Sequence, residues 1–355
     1  MKLGDKNPFS FQVDYDSNLF SLASREDRKE TQLTRPASSF IRDALRRFRK
    51  NRIAVICSFF ILILVLAIII IPFFYPYSYD QMLGVTKYGT DTSFENLAPF
   101  QYGVTERGRI AAGEFIWPHL FGTDGHGRDY FIRVIVGTRI SLLVGVFAAL
   151  VVLVIGTIYG SISGLKGGKT DLVMMRIVDV IYSLPDMVII ILLSVILNEA
   201  FSLAADNPLV SALGTNIISI FIVFAILYWV GMARLVRGQI LSIKQQEFIL
   251  ASRSMGASNS FIIRKHLIPN CVSVIVVSAA LQIPSAIFTE SYLSFLGLGV
   301  AKPMPSLGSL ASAGRDAITL YPWLMLIPSI FIFLIVLALN LIGDGLRDAF
   351  DPKQK

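Results

Sequence analysis

Groups that do chemistry are scarce in this chain: it has 3 histidines and 2 cysteines, and only 16% of its 355 residues are charged. Both cysteines, Cys57 and Cys271, fall in apolar runs, which argues against a disulfide framework. The histidines are His119, His126 and His266, and none has metal-ligand spacing. Asp124, His126 and Asp129 come nearest, and they read instead as a glycine-rich turn whose aspartates cap a helix. A complete phosphate-binding loop is missing as well. Ser163 to Asp171, SGLKGGKTD, ends like one at Gly168, Lys169 and Thr170, but the opening glycine should stand at position 163, which is Ser163. Gly164 is one residue out of register. No nucleotide-binding domain surrounds the stretch, so it reads as a tight turn with Asp171 capping the helix that follows. No catalytic residue, cofactor-binding residue or metal ligand is therefore expected in this chain.

Apolar length is what the sequence has in abundance. Hydrophobic residues make up 54% of the chain, and the mean hydropathy is +0.63. Ile53 to Ile71 carries no charge over 19 residues, about 28 Å as a helix and close to the hydrocarbon thickness of a bilayer. The 52 mostly polar residues before it, and the lack of a small-residue cleavage site, mark a retained helix rather than a signal peptide. Further apolar runs at 138 to 165, 172 to 197, 213 to 233, 270 to 298 and 323 to 343 bring the total to six spans, an all-α polytopic membrane protein. Of the 32 Lys and Arg residues, 24 lie in the N-terminal segment, the alternate connections on its side and the tail. That excess places both termini in the cytoplasm and accounts for the net charge of +7 without a nucleic-acid partner. The expected division is a cytoplasmic segment at 1 to 52, a first transmembrane helix at 53 to 75, and an extracytoplasmic loop at 76 to 137. A five-helix core follows at 138 to 343, then a cytoplasmic tail at 344 to 355.

Two groups of residues inside this frame are candidates for function. The first is the cytoplasmic segment Arg234 to Asn270. Glu247 to Met255 reads as a short helix, Gly256 as a break with positive φ, Ser258 or Asn259 as the cap of a second helix running to His266, and Pro269 as its close. A helix, glycine, helix knuckle with Phe248, Ile249, Leu250 and Met255 beside basic groups suits docking into the groove of another protein. It equally suits a loop resting on its own membrane domain. The second group is polar residues inside spans. Arg176 and Asp179, three apart, read as a local ion pair. Asp186 after Pro185, Gln282 before Pro284, and Glu290 are candidates for the lining of a translocation path, because polar side chains at membrane depth face a protein interior or water. Gly156, Gly160 and Gly164 recur every fourth residue in span two, a pattern that permits close helix approach.

The segment from Arg234 to Asn270 resembles the EAA loop of ABC importer permeases. Ala251 and Ser252 stand at the two alanine positions, Gly256 at the glycine, and Pro269 at the terminal proline, whereas Leu250 replaces the glutamate. Glu247, one turn earlier, is the candidate substitute. FGTDGHGRD at 121 to 129, SGLKGGKTD, MRIVDVIYSLP at 175 to 185, ESYLSFLGLG at 290 to 299 and NLIGDGLRDAFDP at 340 to 352 are similar to the C-type subunit of the dipeptide and oligopeptide permease subfamily. The resemblance implies a type I ABC importer fold and a non-catalytic permease of the bacterial cytoplasmic membrane. Its implied partners are a B-type permease subunit, two cytoplasmic ATPases that hold ATP and Mg, an extracytoplasmic solute-binding protein and a peptide solute. Glu247, Leu250, Ala251, Ser252, Gly256, Ala257 and Pro269 would couple it to the ATPases. Nickel importers share the architecture. A different class, a proton-coupled secondary transporter with Asp186 or Glu290 as relay, would give the knuckle no role.

Overall fold

The computed structural model describes residues 40–86, 89–202, 214–299 and 304–350. Residues 1 to 37, to which the sequence assigns no role, lie outside them. The chain divides into two compact units, Met1–Asp43 and Ala44–Lys355. Of the first, only the start of helix α1 (Phe40–Phe48) lies among the described residues, and the second carries every feature below.

Among the described residues, five stretches of helix are long and apolar enough to cross a membrane unaided: α2 (Arg52–Phe74), Tyr130–Lys166, Thr215–Ile243, Asn259–Phe295 and α14 (Trp323–Phe350). Three of the five are composite. A π-helical turn at Val152–Gly156 joins α4 (Tyr130–Val151) to α5 (Thr157–Lys166), and another at Ile263–Leu267 joins α11 (Asn259–Ile262) to α12 (Ile268–Phe295). Tyr228 separates α8 (Thr215–Leu227) from α9 (Trp229–Ile243). The sixth expected span is broken: α6 (Gly168–Tyr182) and α7 (Asp186–Ser202) are bent by 84°. Pro185 explains the break, since it lacks an N–H and disfavours helical backbone at Leu184 before it. Pro284, by contrast, is buried within the unbroken α12.

α12 packs against α4, α9, α13 (Leu307–Arg315) and α14. The glycine stripe of span two has its expected use, because Gly156, Gly160 and Gly164 lie against α9. A Cβ at Gly160 would collide with the Ala233 carbonyl oxygen. Two readings of charged residues need correction. Asp171 does not cap α6: that helix starts at Gly168, and the Asp171 carboxylate receives Arg237 Nη2 at 2.6 Å together with Arg237 Nε and the Ser163 hydroxyl. Asp179 pairs with Arg234 at 2.7 Å, not with Arg176, because helix crossing brings α9 within reach.

The segment between α2 and α4 folds into a small cap. It holds a two-stranded hairpin, Val85–Thr86 with Gly89–Thr90, a 3₁₀ turn at Thr92–Phe94, and helix α3 (Val104–Ala111). Phe94 and Leu97 are buried beneath it. Asp129 caps α4 as the sequence predicts, accepting from the Ile132 N–H at 3.1 Å, so this helix begins eight residues before the apolar run at 138. Asp124 accepts from the backbone of His126 and Arg128 and from the Arg128 guanidinium, while His126 is exposed.

Candidate functional site

The knuckle has two faces. Its first helix, α10 (Glu247–Ser254), ends at Met255 in a Schellman arrangement: the Gly256 N–H donates to the Arg253 carbonyl at 2.9 Å and the Ala257 N–H to the Ser252 carbonyl at 3.1 Å. Gly256 has φ +83°, the left-handed conformation that this cap requires and that glycine adopts without penalty. The Ser258 hydroxyl then accepts from the Phe261 N–H and starts α11, as the sequence predicts. The chain does not stop at His266 or Pro269. It passes through the π turn into α12, where Pro269 is the second residue and its missing N–H costs little. Continuous helix therefore joins the knuckle to the membrane domain.

The inward face consists of Ile249, Ile262 and Leu267, fully buried among Leu165 of α5 and Ile240 and Ile243 of α9. Ser252 is also buried, its hydroxyl 3.2 Å from Nε2 of His266. The outward face shows Phe248, Leu250, Phe261 and Met255, the last 82% exposed, with Glu247, Ala251, Gly256 and Pro269 exposed around them. Ala257 is half-buried. Beside this face is a cavity of about 530 Å³ lined by Ser258, Ser260, Phe261, Arg264 and Lys265, a basic rim around an aromatic side chain. Of the two alternatives in the sequence, resting on the membrane domain accounts for the inward side of the loop and leaves the outward side exposed. Phe261 escaped sequence reading, although its place three residues after the Ser258 cap is a usable signal.

Of the three polar residues proposed for a path, two share a cavity. Asp186 at the start of α7 and Gln282 of α12 line a space of about 310 Å³ at the break in the third crossing, with Tyr182, Tyr228, Ser285 and Thr289. The Tyr228 hydroxyl donates to Thr289 Oγ1 at 2.7 Å and Thr289 to the Ser285 carbonyl at 3.0 Å, so these hydroxyls are satisfied within the protein. Glu290 is not in that lining. It is fully buried, and its carboxylate accepts from Ser141 at 2.7 Å, Ser294 at 2.7 Å and Ser291 at 3.4 Å. The bond to Ser141 ties α12 to α4.

The cap between α2 and α4 contains a cluster that the sequence did not reveal. His119 is fully buried, with Nδ1 2.8 Å from Asp129 Oδ2 and Nε2 3.2 Å from Glu106 Oε2. Burial alone would lower its pKa, but hydrogen bonds to Asp129 and Glu106, and the charge of both carboxylates, outweigh that and raise it to about 9. His119 is thus an imidazolium bridging α3 to the residue that caps α4. Spacings of ten and thirteen residues in an irregular segment carry no periodic signal, which is why it was missed.

Comparison with known proteins accords with this arrangement. Residues 156–355 match the family described as binding-protein-dependent transport system inner membrane component, and residues 39–99 match the N-terminal TM domain of oligopeptide transport permease C. The chain is 38% identical over 338 residues to the oligopeptide transport system permease protein OppC of Bacillus subtilis, covering 95% of this chain and 97% of that protein. It is 41% identical over 335 residues to the dipeptide transport system permease protein DppC of the same organism, covering 94% and 92%. It is 40% identical over 317 residues to the OppC protein of Haemophilus influenzae, covering 89% and 90%. Five membrane-length helices among the described residues, the bent pair α6 and α7, and a helical knuckle continuous with the core thus belong to a membrane permease, and the chain is a member of the binding-protein-dependent transport system inner membrane component family.

Proposed function

We propose that this chain is one permease subunit of an ATP-driven, binding-protein-dependent importer of dipeptides and oligopeptides, with both termini in the cytoplasm. A B-type permease subunit completes the path, two cytoplasmic ATPases bind ATP and Mg, and an extracytoplasmic binding protein delivers the solute. The observation that carries the reading is the two-faced knuckle, anchored inward by Ile249, Ile262 and Leu267 and presenting Phe248, Leu250, Met255 and Phe261 outward. Peptide cargo is supported by the names of the relatives. ATP favours the closed ATPase dimer, and closure moves whatever is docked on it, because a ligand shifts an equilibrium by its differential affinity for the two states. Here the docked knuckle passes that motion to α9 and α12, which line the cavity holding Asp186 and Gln282.

The test uses the assembled complex. Affinity purification should recover two ATPase chains and a second permease, and peptide uptake into vesicles should require ATP and the binding protein. A Cys replacing Gln101 should react with an impermeant thiol reagent in intact cells, and one replacing Asn259 should not. Labelling of Asn259→Cys from outside, or uptake that continues without an ATPase, would overturn the reading.

A further inference from the structure

We propose that Phe115 and Trp117 seat the outer cap in the headgroup layer of the membrane, so that this segment binds lipid as well as standing above it. The starting point is α2. Its residues Ile56, Phe59, Ile63, Leu66, Ile70 and Phe73 are all exposed at spacings of three and four, one row within a broad apolar stripe along the length of the helix. In a membrane-crossing helix that stripe is a hydrocarbon-facing surface, and it ends in Phe73 and Phe74, both more than four-fifths exposed.

The stripe continues into the cap. Tyr75, which follows directly, packs edge to face with Trp117 at 6.4 Å between ring centroids, and Trp117 packs edge to face with Phe115 at 6.0 Å. The backbone beneath these rings is held in place: the Tyr77 hydroxyl donates to the Trp117 carbonyl at 2.8 Å and the Tyr102 hydroxyl to the Ile116 carbonyl at 3.4 Å. Yet the rings themselves point away from the cap, with Phe115 81% and Trp117 50% exposed. A scaffold that fixes a backbone and leaves two large aromatic rings outside is presenting them. The neighbouring Arg109–Glu114 ion pair, at 2.6 Å and exposed, supplies charge at the level of the headgroups. Apolar ring bodies next to polar edges and charges match the aromatic belt at which Trp and Tyr rest between hydrocarbon and water. In the orientation proposed above, the leaflet is the outer one.

Continuity with the exposed face of α2 selects lipid over a protein partner as the occupant. The measurement places a nitroxide on single cysteines in the full chain, assembled with its partner subunits in phospholipid bilayers and with Cys57→Ala and Cys271→Ala as background. Collision rates with oxygen, which concentrates in lipid, are compared with those of a water-soluble nickel chelate. At Phe115→Cys the oxygen-to-nickel ratio should fall between those of Ile63→Cys and Gln101→Cys and exceed the latter by roughly fivefold, as expected for a site at the interface. Trp117→Cys provides an independent reading of the same surface. A ratio at both sites equal to that of Gln101→Cys would leave the cap in water and overturn the proposal. Exclusion of both reagents would show a protein covering the patch and overturn it equally.

Discussion

Replacing His119 with Gln removes the one positive charge between Glu106 and Asp129 while keeping the side chain polar and of similar size. The pKa of about 9, against 6.5 for an ordinary imidazole, means that the protonated ring binds the folded cap more tightly than the neutral one. At 1.36 kcal/mol per pKa unit the difference is about 3 kcal/mol. Because the folded pKa is the higher one, this stabilisation is fully present below pH 6.5, still about 2.5 kcal/mol at pH 7, and lost as pH rises through 9. Tyr75 and Tyr77 face the same carboxylates, but burial pushes both hydroxyls far above this range, so they stay protonated throughout. The amides of Phe100 and Gly122, which donate to the His119 carbonyl at 2.8 and 2.9 Å, report on the opening of the cap. Their hydrogen-exchange protection, corrected for intrinsic rates, should fall roughly a hundredfold between pH 6.5 and 9.5. In His119→Gln it should begin low and stay flat. Protection in the parent that does not change across that interval, or a variant as protected as the parent at pH 6.5, would refute the imidazolium bridge.

Gly256→Val should retain normal membrane abundance yet lose most ATP-coupled uptake. A Cβ there meets nothing within 4 Å, so only the left-handed backbone is strained, by on the order of 1–3 kcal/mol; Gly256→Asn, better tolerated at positive φ, should be intermediate. Gly160→Ala should lower the thermal stability of the complex by about 1–3 kcal/mol, because its methyl meets backbone at Ala233. Gly238→Ala, with open space around it, is the control in the same melting experiment and should be neutral. Glu290→Leu should destabilise the chain by removing the buried acceptor of the Ser141 hydroxyl, at about 1–3 kcal/mol. Uptake by the parent should not respond to a collapsed proton gradient, and sensitivity to it would favour the proton-coupled reading with Asp186 or Glu290 as relay.

Much of this architecture is written in local composition. Uncharged runs of about twenty residues demand helices that cross a bilayer, since a single segment satisfies its own backbone polar groups in hydrocarbon only as a helix. The Gly156, Gly160, Gly164 stripe, the Asp129 cap and the Gly256 break followed by the Ser258 cap are equally local, as they depend on residues within one or two turns. Tertiary structure decided whatever depends on distance in sequence. Asp171 and Asp179 had plausible local roles, but α9 crosses close enough for Arg237 and Arg234 to take them, and a charge-assisted bond between helices outcompetes a weak intrahelical one. Pro185 and Pro284 look alike in the sequence; one breaks a crossing and the other is absorbed in a packed helix. Asp186, Gln282 and Glu290 are all polar residues in apolar runs, yet only packing sends two to a cavity and the third to a ring of serines. The partnership of His119 with Glu106 and Asp129 is the extreme case. An irregular segment has no period to place its side chains, so only the folded cap could bring these three together.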